Sequence, residues 1–209
     1  MLPNMSLEIL VGPMFAGKSS ALLSTIRRYE ALGWNVFVLT HTADTRYSET
    51  PTIASHDRQT RPAHPCAALM PMVEHRDYAE SKLVVVEEGQ FFPDLVEFVK
   101  KVVDVHKKHC VVVGLDGDAK RRPFGEMLAL IPLADKVEKL TAMCKRCGDG
   151  TPALFSAAIS VEAATAAAAG AVCVGADERY APMCRRHYLE NERPPPVPVA
   201  VALNTFYGC

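Results

Sequence analysis

The sequence has no strong excess of charge of either sign and no apolar run long enough to cross a membrane. Its 209 residues carry 23 Lys and Arg against 24 Asp and Glu, a formal net charge of −1. Binding to a nucleic-acid backbone needs clustered cations, and a membrane-spanning helix needs about 20 consecutive apolar residues. We therefore expect neither nucleic acid nor a membrane as a partner.

A secretory leader and a disulfide framework are also missing. Residues 1–10 have neither the charged start nor the long apolar core of a signal peptide. The seven cysteines are an odd number, which favours a reducing compartment in which thiols are free or bind metal. We expect a cytoplasmic protein, with enough residues for one domain and an appendage or for two small domains.

The most informative motif is a phosphate-binding loop at residues 12–19. It matches G-x-x-x-x-G-K-[ST], follows an apolar run at 7–11 and precedes a helical pattern over 19–32. This strand, loop and helix would direct backbone N–H groups at phosphate oxygens. Lys18 is then expected to reach the terminal phosphates, and Ser19 to bind Mg²⁺. The candidate nucleotide-phosphate-binding residues are Gly12, Pro13, Met14, Phe15, Ala16, Gly17, Lys18 and Ser19.

Apolar runs alternate with helical patterns through residue 118. Further strands are predicted at 34–40, 82–87 and 110–115, a helix over 94–106, and a short strand at 136–141. The Val-rich runs are unbroken by polar residues, which is typical of strands covered on both faces. The pattern predicts an α/β fold with a parallel sheet and flanking helices.

Two acids, Glu87 and Glu88, follow the third predicted strand. In open α/β sheets, ligands bind at the carboxyl ends of the strands, and phosphate-loop enzymes often place a metal-binding acid there. Adjacent strand residues point to opposite faces, so we expect one acid to face the metal and the other the substrate. Glu87 is the candidate for Mg²⁺.

Two short ligand pairs, Cys144 with Cys147 and Cys184 with His187, are separated by 36 residues. Each pair has the C-x₂ spacing that lets two side chains reach one tetrahedral ion, and three thiolates with one imidazole suit Zn²⁺. Four protein ligands leave no position for water, so the predicted zinc site is structural.

The composition divides the chain into three predicted regions. Residues 1–140 form the nucleotide-binding domain, 141–192 the zinc-binding domain and 193–209 a proline-rich tail. Within the second region, the alanine-rich segment 157–172 is compatible with a helix and equally with a mobile loop.

These motifs, in this order, resemble the cellular-type (type II) thymidine kinases over roughly residues 5–190. The resemblance implies a RecA-like phosphate-loop sheet with flanking helices and a small zinc-binding domain, whose loop 148–180 (the lasso) closes over the base. The matching segments are 12–19, 44–47, 55–58, 88–94, 114–117, 122–125, 139–144, 175–177 with Tyr180, and the second ligand pair.

The resemblance implies transfer of the γ-phosphate of ATP to the 5′-hydroxyl of thymidine, giving dTMP for DNA synthesis. It assigns Glu88 as general base, with Arg46 and Lys18 as the other catalytic residues. It also implies a homotetramer inhibited by dTTP. The implied substrate-binding residues are Met14, Phe15, Asp44, Arg46, Glu88, Phe91, Leu115, Phe124, Phe155, Ser156, Val172 and Tyr180.

Three positions depart from the family pattern. Glu87 stands where an Asp is usual, His187 replaces a usual Cys ligand, and Ala119 stands where many relatives carry an aromatic residue. Because of Ala119, an alternative function remains open, that of a deoxynucleoside kinase with broader specificity. Because of Glu87, a second alternative remains open, a nucleotide-binding protein with impaired catalysis. Glutamate is one methylene longer than aspartate, and Mg²⁺ demands tight octahedral geometry. A zinc-knuckle nucleic-acid binder is disfavoured by the neutral charge.

Overall fold

The computed structural model describes residues 5–42, 52–54, 60–169 and 178–192. The described strands are β1 (Ser6–Val11), β2 (Val36–His41), β3 (Thr52–Ala54), β4 (Thr60–Pro62), β5 (His64–Cys66), β6 (Leu83–Val86), β7 (His109–Gly114), β8 (Lys136–Lys139), β9 (Ala142–Met143), β10 (Pro152–Ala153), β11 (Phe155–Ala158) and β12 (Tyr180–Met183). The described α-helices are α1 (Lys18–Glu30), α2 (Arg76–Glu80), α3 (Leu95–Lys100), α4 (Val161–Ala168) and α5 (Arg185–Glu192).

Six strands form one sheet in the order β5-β2-β6-β7-β1-β8. Every neighbouring pair in this sheet is parallel. The carboxyl ends of all six strands therefore meet at one edge, where a ligand of an open α/β sheet binds. The α/β prediction is confirmed, and so are its strands at 7–11, 34–40, 82–87, 110–115 and 136–141, each shifted or shortened by one or two residues at an end.

Both faces of the sheet are covered by apolar side chains. On one face, Leu7, Ile9 and Val11 of β1 pack in a cluster with α3. On the other face, Leu10 packs in a cluster with Leu22 and other residues of α1. This alternation follows the two-residue period of a strand. Burial of each large apolar side chain contributes roughly 1.5–3 kcal/mol relative to exposure, which fixes the register of β1 and hence the position of the loop after it.

Helix α1 ends where the sequence predicts a stop. Gly33 has φ +74°, a left-handed conformation that costs glycine little. Its N–H donates to the carbonyl of Glu30 at 2.8 Å, and the Trp34 N–H donates to Tyr29 at 3.2 Å, which satisfies carbonyls of the last turn.

The predicted helix over 94–106 is present in two parts. Helix α3 passes directly into a π-helical turn at Lys101–Val105. The Asp94 carboxylate precedes α3 but accepts hydrogen bonds from the backbone N–H groups of Leu69 and Met70, both at 2.8 Å. It thereby ties the start of α3 to the segment after β5.

The described residues after 140 form smaller elements with their own apolar contacts. Strands β9 and β10 pair antiparallel, as do β11 and β12. The alanine-rich segment contains helix α4, and the Ser160 side chain caps it by accepting from the Ala163 N–H at 3.1 Å. Among the helices of the described residues, none is both long and apolar enough to cross a bilayer.

Candidate active site

The loop between β1 and α1 is held close to the end of β8. Gly12 has φ +152°, and a Cβ there would lie 2.5 Å from the carbonyl oxygen of Leu140. Only glycine permits this approach. Phe15 and Gly17 are also in the left-handed region, with φ +64° and +79°. The loop thus curls back over the end of β1, the arrangement in which successive N–H groups form an anion-binding concavity.

Lys18 and Ser19 begin helix α1 at this loop. Lys18 Nζ donates to the Pro13 carbonyl at 2.8 Å, so the ammonium lies across the loop. Ser19 Oγ donates to Glu87 Oε1 at 2.7 Å. The hydroxyl and the carboxylate, two oxygen ligands of the kind that Mg²⁺ prefers, therefore converge although the residues are 68 positions apart.

The two acids after β6 occupy different environments. Glu87 is buried, with 5% of its surface exposed, and its backbone N–H continues the ladder to Leu39 at 2.9 Å. Glu88 is half-buried and has φ +54°. A left-handed conformation costs a residue other than glycine about 1–3 kcal/mol and is concentrated at functional sites. The backbone turn at Glu88 separates the two carboxylates: Glu87 contacts the phosphate loop, and Glu88 contacts Gln90.

Gln90 is a site residue that our sequence reasoning missed. Its side chain is 3% exposed, donates from Nε2 to Glu88 Oε2 at 2.5 Å and accepts at Oε1 from the Leu115 N–H at 3.0 Å. A lone glutamine carries no charge and matches no metal-ligand spacing, so only its position two residues after Glu88 signals the role.

Aromatic side chains lie beside these acids. Phe91 is half-buried and meets Phe124 edge to face, with ring centroids 5.6 Å apart. Phe92 is 1% exposed and belongs to the core of the sheet. Leu115, bonded through its N–H to Gln90, is also half-buried.

The segment after β10 contacts the phosphate loop directly. Ser156 Oγ accepts from the Met14 N–H at 2.9 Å. A cavity of about 190 Å³ lies between the two segments, and its walls include Pro13, Phe155 and Ser156. Asp116 and Lys139 also line it and form an ion pair at 2.5 Å. Among the predicted substrate-binding residues that the structure describes, Phe155 and Ser156 are the two that line this cavity.

The four predicted zinc ligands converge. One ligand atom from each of Cys144, Cys147, Cys184 and His187 lies within 4.8 Å of all the others. His187 Nδ1 is 3.3 Å from the sulfurs of Cys144 and Cys147 and 3.6 Å from that of Cys184, and the Cys147 and Cys184 sulfurs are 3.8 Å apart. Tetrahedral zinc with bonds of about 2.3 Å to sulfur and 2.0 Å to nitrogen spaces its ligands about 3.5–3.8 Å apart. The residues therefore fit zinc.

The surroundings favour the metal-binding forms of these ligands. Burial works to raise the pKa of the Cys144 thiol, but hydrogen bonds from the Cys184 backbone and the His187 side chain outweigh it and lower this pKa to about 6. On the opposite edge of the imidazole, His187 Nε2 lies 3.3 Å from Arg186 Nη2 and 3.9 Å from Glu190 Oε2, and the second distance is too long for a direct hydrogen bond.

Several predicted site residues lie outside the described residues. These are Asp44, Arg46 and Val172, together with the matching segments 55–58 and 175–177 and the tail 193–209. Tyr180 is described: it is the first residue of β12, pairs with Ala158 and is half-buried.

Comparison with known proteins gives one consistent relationship. A family model described as thymidine kinase matches residues 5–188. Thymidine kinase a of Arabidopsis thaliana is 37% identical over 192 residues, which cover 89% of this chain and 76% of that protein. Cytosolic thymidine kinase of Gallus gallus is 34% identical over 188 residues, covering 90% and 79%. The cytosolic thymidine kinase of Homo sapiens is 41% identical over 145 residues, covering 68% and 58%.

The family match spans the phosphate loop, the acid pair and all four predicted zinc ligands, and it ends one residue after His187. This chain belongs to the thymidine kinase family.

Proposed function

We propose that this protein transfers the γ-phosphate of ATP to the 5′-hydroxyl of thymidine, giving dTMP and ADP. The observation that carries the proposal is the hydrogen bond of 2.7 Å from Ser19 to Glu87, with Glu88 as the next residue. It brings a phosphate loop, a metal-binding pair and a candidate base to one sheet edge in a chain of the thymidine kinase family.

The phosphate loop binds the ATP phosphates through its N–H groups and Lys18. Ser19 and Glu87 would hold a divalent ion, proposed to be Mg²⁺, because their oxygens are 2.7 Å apart and neighbouring ligands of octahedral Mg²⁺ are about 3 Å apart. When bound, the ion neutralises charge on the β- and γ-phosphate oxygens. Glu87 reaches Ser19 despite its extra methylene, which supports catalysis over the binding-only alternative.

Glu88 acts as the base. The 5′-oxygen of the sugar attacks the γ-phosphorus while the bond from phosphorus to the bridging oxygen of ADP breaks. The hydroxyl proton moves to the Glu88 carboxylate. Arg46, which precedes β3 in the chain, is proposed to stabilise the charge on the transferring group.

The thymine base is proposed to lie among Phe91, Leu115 and Phe124, with Phe155 and Ser156 contributed by the lasso. Flat aromatic walls bury a base and leave room for its methyl group. Met14, Phe15, Asp44, Val172 and Tyr180 complete the proposed contacts. The lasso belongs to the proposed zinc-binding domain 141–192, whose Ser156 contact with Met14 supports closure over the loop.

The proposal extends to the regulation, the oligomeric state and the cellular location of the protein. We include inhibition by dTTP, a homotetramer and a cytosolic location, the last because relatives from Gallus gallus and Homo sapiens are named cytosolic.

The test incubates zinc-loaded protein with Mg²⁺ and ATP together with thymidine, deoxyuridine, deoxycytidine, deoxyadenosine or deoxyguanosine. We expect dTMP as the main product and a loss of about 100-fold or more in Glu88→Gln, within the range of general-base contributions. Product from several nucleosides would favour the broader kinase. No product from any of them, with ATP still bound, would overturn the proposal.

A further inference from the structure

We propose that Gln90 is a positioning residue that holds the Glu88 carboxylate in its reactive orientation. This inference rests on the proposed function, in which Glu88 is the base. The Gln90 side chain bridges Glu88 Oε2 at 2.5 Å and the Leu115 N–H at 3.0 Å. It therefore links the base to the end of β7.

The chemistry of the two partners fixes the orientation of the amide. A backbone N–H only donates, so the group facing Leu115 is the carbonyl oxygen. An ionised carboxylate only accepts, so the group facing Glu88 is the NH₂. Reversing the amide would place donor against donor and acceptor against acceptor. With 3% of its surface exposed, Gln90 has little water to compensate such a reversal.

Two glycines make room for this bridge. A Cβ at Gly114 would lie 2.5 Å from Gln90 Oε1, and a Cβ at Gly125 would lie 2.2 Å from the backbone carbonyl oxygen of Gln90, so Gly114 leaves space for the amide and Gly125 for the main chain of Gln90. Gly125 also has φ +56°. Gln90 is thus the meeting point of the turn that carries Glu88, the end of β7 and the segment that carries Phe124.

The freedom of the Glu88 side chain explains why a hydrogen bond from Gln90 is useful. The left-handed backbone of Glu88, with φ +54°, sets where its side chain starts but not where the carboxylate ends. A glutamate has three side-chain torsions, and a displacement of about 1 Å in a reacting group costs about 100-fold in rate. The hydrogen bond from the Gln90 amide to Oε2 restricts this freedom.

Two variants distinguish the effect of losing the hydrogen bonds of Gln90 from the effect of adding a negative charge beside Glu88. Gln90→Met keeps the length and burial but removes both hydrogen bonds. Gln90→Glu keeps an acceptor for Leu115 but places a second carboxylate against Glu88. The control is Phe92→Leu, a core change two residues along that loosens the same turn without removing the amide.

The first measurement is kcat against pH, with the KM for ATP. We expect kcat to fall about 10–100-fold in both Gln90 variants, within general-base contributions. The KM for ATP should stay within about threefold, because Gln90 is bonded to neither Lys18 nor Ser19. The acid limb of the profile should move to higher pH, most in Gln90→Glu, because a like charge disfavours an ionised carboxylate. Phe92→Leu should lower the melting temperature while its acid limb stays in place.

The second measurement does not depend on activity. Carbon-13 NMR of labelled glutamate side chains follows the Glu88 carboxyl, assigned by its absence in Glu88→Gln. We expect its titration midpoint to rise in both Gln90 variants. An unchanged midpoint in both, or a kcat loss in Gln90→Met no larger than in Phe92→Leu, would overturn the proposal. If the midpoint responds but the wild-type protein makes no dTMP, then the kinase function fails and the positioning of Glu88 stands.

Discussion

Ser19 at the start of α1 and Glu87 at the end of β6 are joined by a hydrogen bond of 2.7 Å across the carboxyl edge of the sheet. In the sheet order, β7 lies between β6 and β1, the strand that leads into the phosphate loop. The bond therefore spans the width of a strand and connects segments that backbone pairing does not connect. The longer side chain of glutamate is accommodated at this site with a direct contact to the serine.

Substitution of Glu87 tests whether this pair organises the metal. Glu87→Gln keeps an acceptor for Ser19 but removes the charge, so we expect kcat to fall about 100-fold through weaker phosphate-charge neutralisation. Glu87→Asp keeps the charge but is one methylene shorter, so we expect a loss of about 10-fold or less. The measurement is kcat as a function of Mg²⁺ concentration. We expect the Mg²⁺ concentration that gives half-maximal kcat to be higher in both Glu87 variants than in the wild-type protein.

Glu74→Gln is the control, since it removes one exposed acid that lies on a separate 3-10 helix, Met70–Glu74. It should leave both kcat and the Mg²⁺ midpoint unchanged. A Glu87→Gln enzyme with wild-type kcat at every Mg²⁺ concentration would show that Glu87 does not organise the ion.

Removal of the Ser156 hydroxyl tests the contact between the lasso and the phosphate loop. Ser156→Ala removes the acceptor for the Met14 N–H, a bond of 2.9 Å. A neutral hydrogen bond contributes about 0.5–1.5 kcal/mol, so we expect kcat/KM for thymidine to fall about 2–10-fold. The measurement is steady-state kinetics with each substrate varied in turn.

Ser160→Ala is the matched control, since it removes a hydroxyl of the same segment that caps α4 instead. It should lower thermal stability and leave kcat/KM within about twofold. Equal kinetic losses in both serine variants would mean that loosening of the lasso, rather than the bond to Met14, is responsible.

The sequence was sufficient wherever a pattern is local. The apolar period of β1 and the Gly33 stop of α1 are set by neighbouring residues, and both are in the structure as predicted. The zinc ligands were also predictable, because C-x₂ spacing brings each pair together before the chain folds. The proximity of Ser19 and Glu87 is also predictable. The Val-rich runs indicate parallel strands, and the carboxyl ends of parallel strands meet at one edge of the sheet.

Contacts set by tertiary packing were not predictable. Ser156 meets Met14 across 142 positions, and no local rule relates a serine to a loop N–H at that distance. Gln90 was missed because its bond to Leu115 depends on where β7 ends. The helix over 94–106 was predicted without the π-helical turn that follows α3. The helix within the alanine-rich segment was left open, since propensity alone did not decide it.

Disruption of the metal site tests the structural role of the four ligands. Cys147→Ser removes a thiolate, and we expect zinc content to fall well below one ion per chain and the melting temperature to drop, because structural zinc contributes folding energy. His187→Cys restores a common ligand set and should keep one zinc per chain. The measurements are metal content and thermal unfolding.

Activity should fall with the metal in Cys147→Ser, because Phe15 and Ala16 of the phosphate loop pack on the cluster formed by Ala142, Cys144, Ala153 and Cys184. Recovery of activity on adding Zn²⁺ to chelator-treated wild-type protein provides the control. Full stability and kcat without zinc would exclude a structural role.

The buried histidine of β7 predicts a pH dependence of stability. His109 is 2% exposed; its Nδ1 contacts the Ser6 hydroxyl, its Nε2 lies 2.8 Å from the Tyr29 hydroxyl and 3.4 Å from Glu8. Burial lowers the pKa of His109 below 6.5, although the charges of Glu8 and Asp135 oppose the shift. The imidazole is therefore neutral in the folded protein at neutral pH.

Below about pH 6.5 the unfolded chain takes up a proton at this position that the folded chain does not. The free energy of unfolding consequently rises with pH between the folded pKa and about pH 6.5, by at most about 1.4 kcal/mol per pH unit for one group. The contribution of His109 is fully present above about pH 6.5 and is lost as the pH falls through the folded pKa. We expect urea unfolding, with zinc present, to show lower stability at pH 5.5 than at pH 7.5. His109→Gln should lack part of this difference. His106→Gln, which removes an imidazole bonded instead to Tyr78, controls for the loss of any histidine; the same flattening in both variants would contradict the assignment to His109.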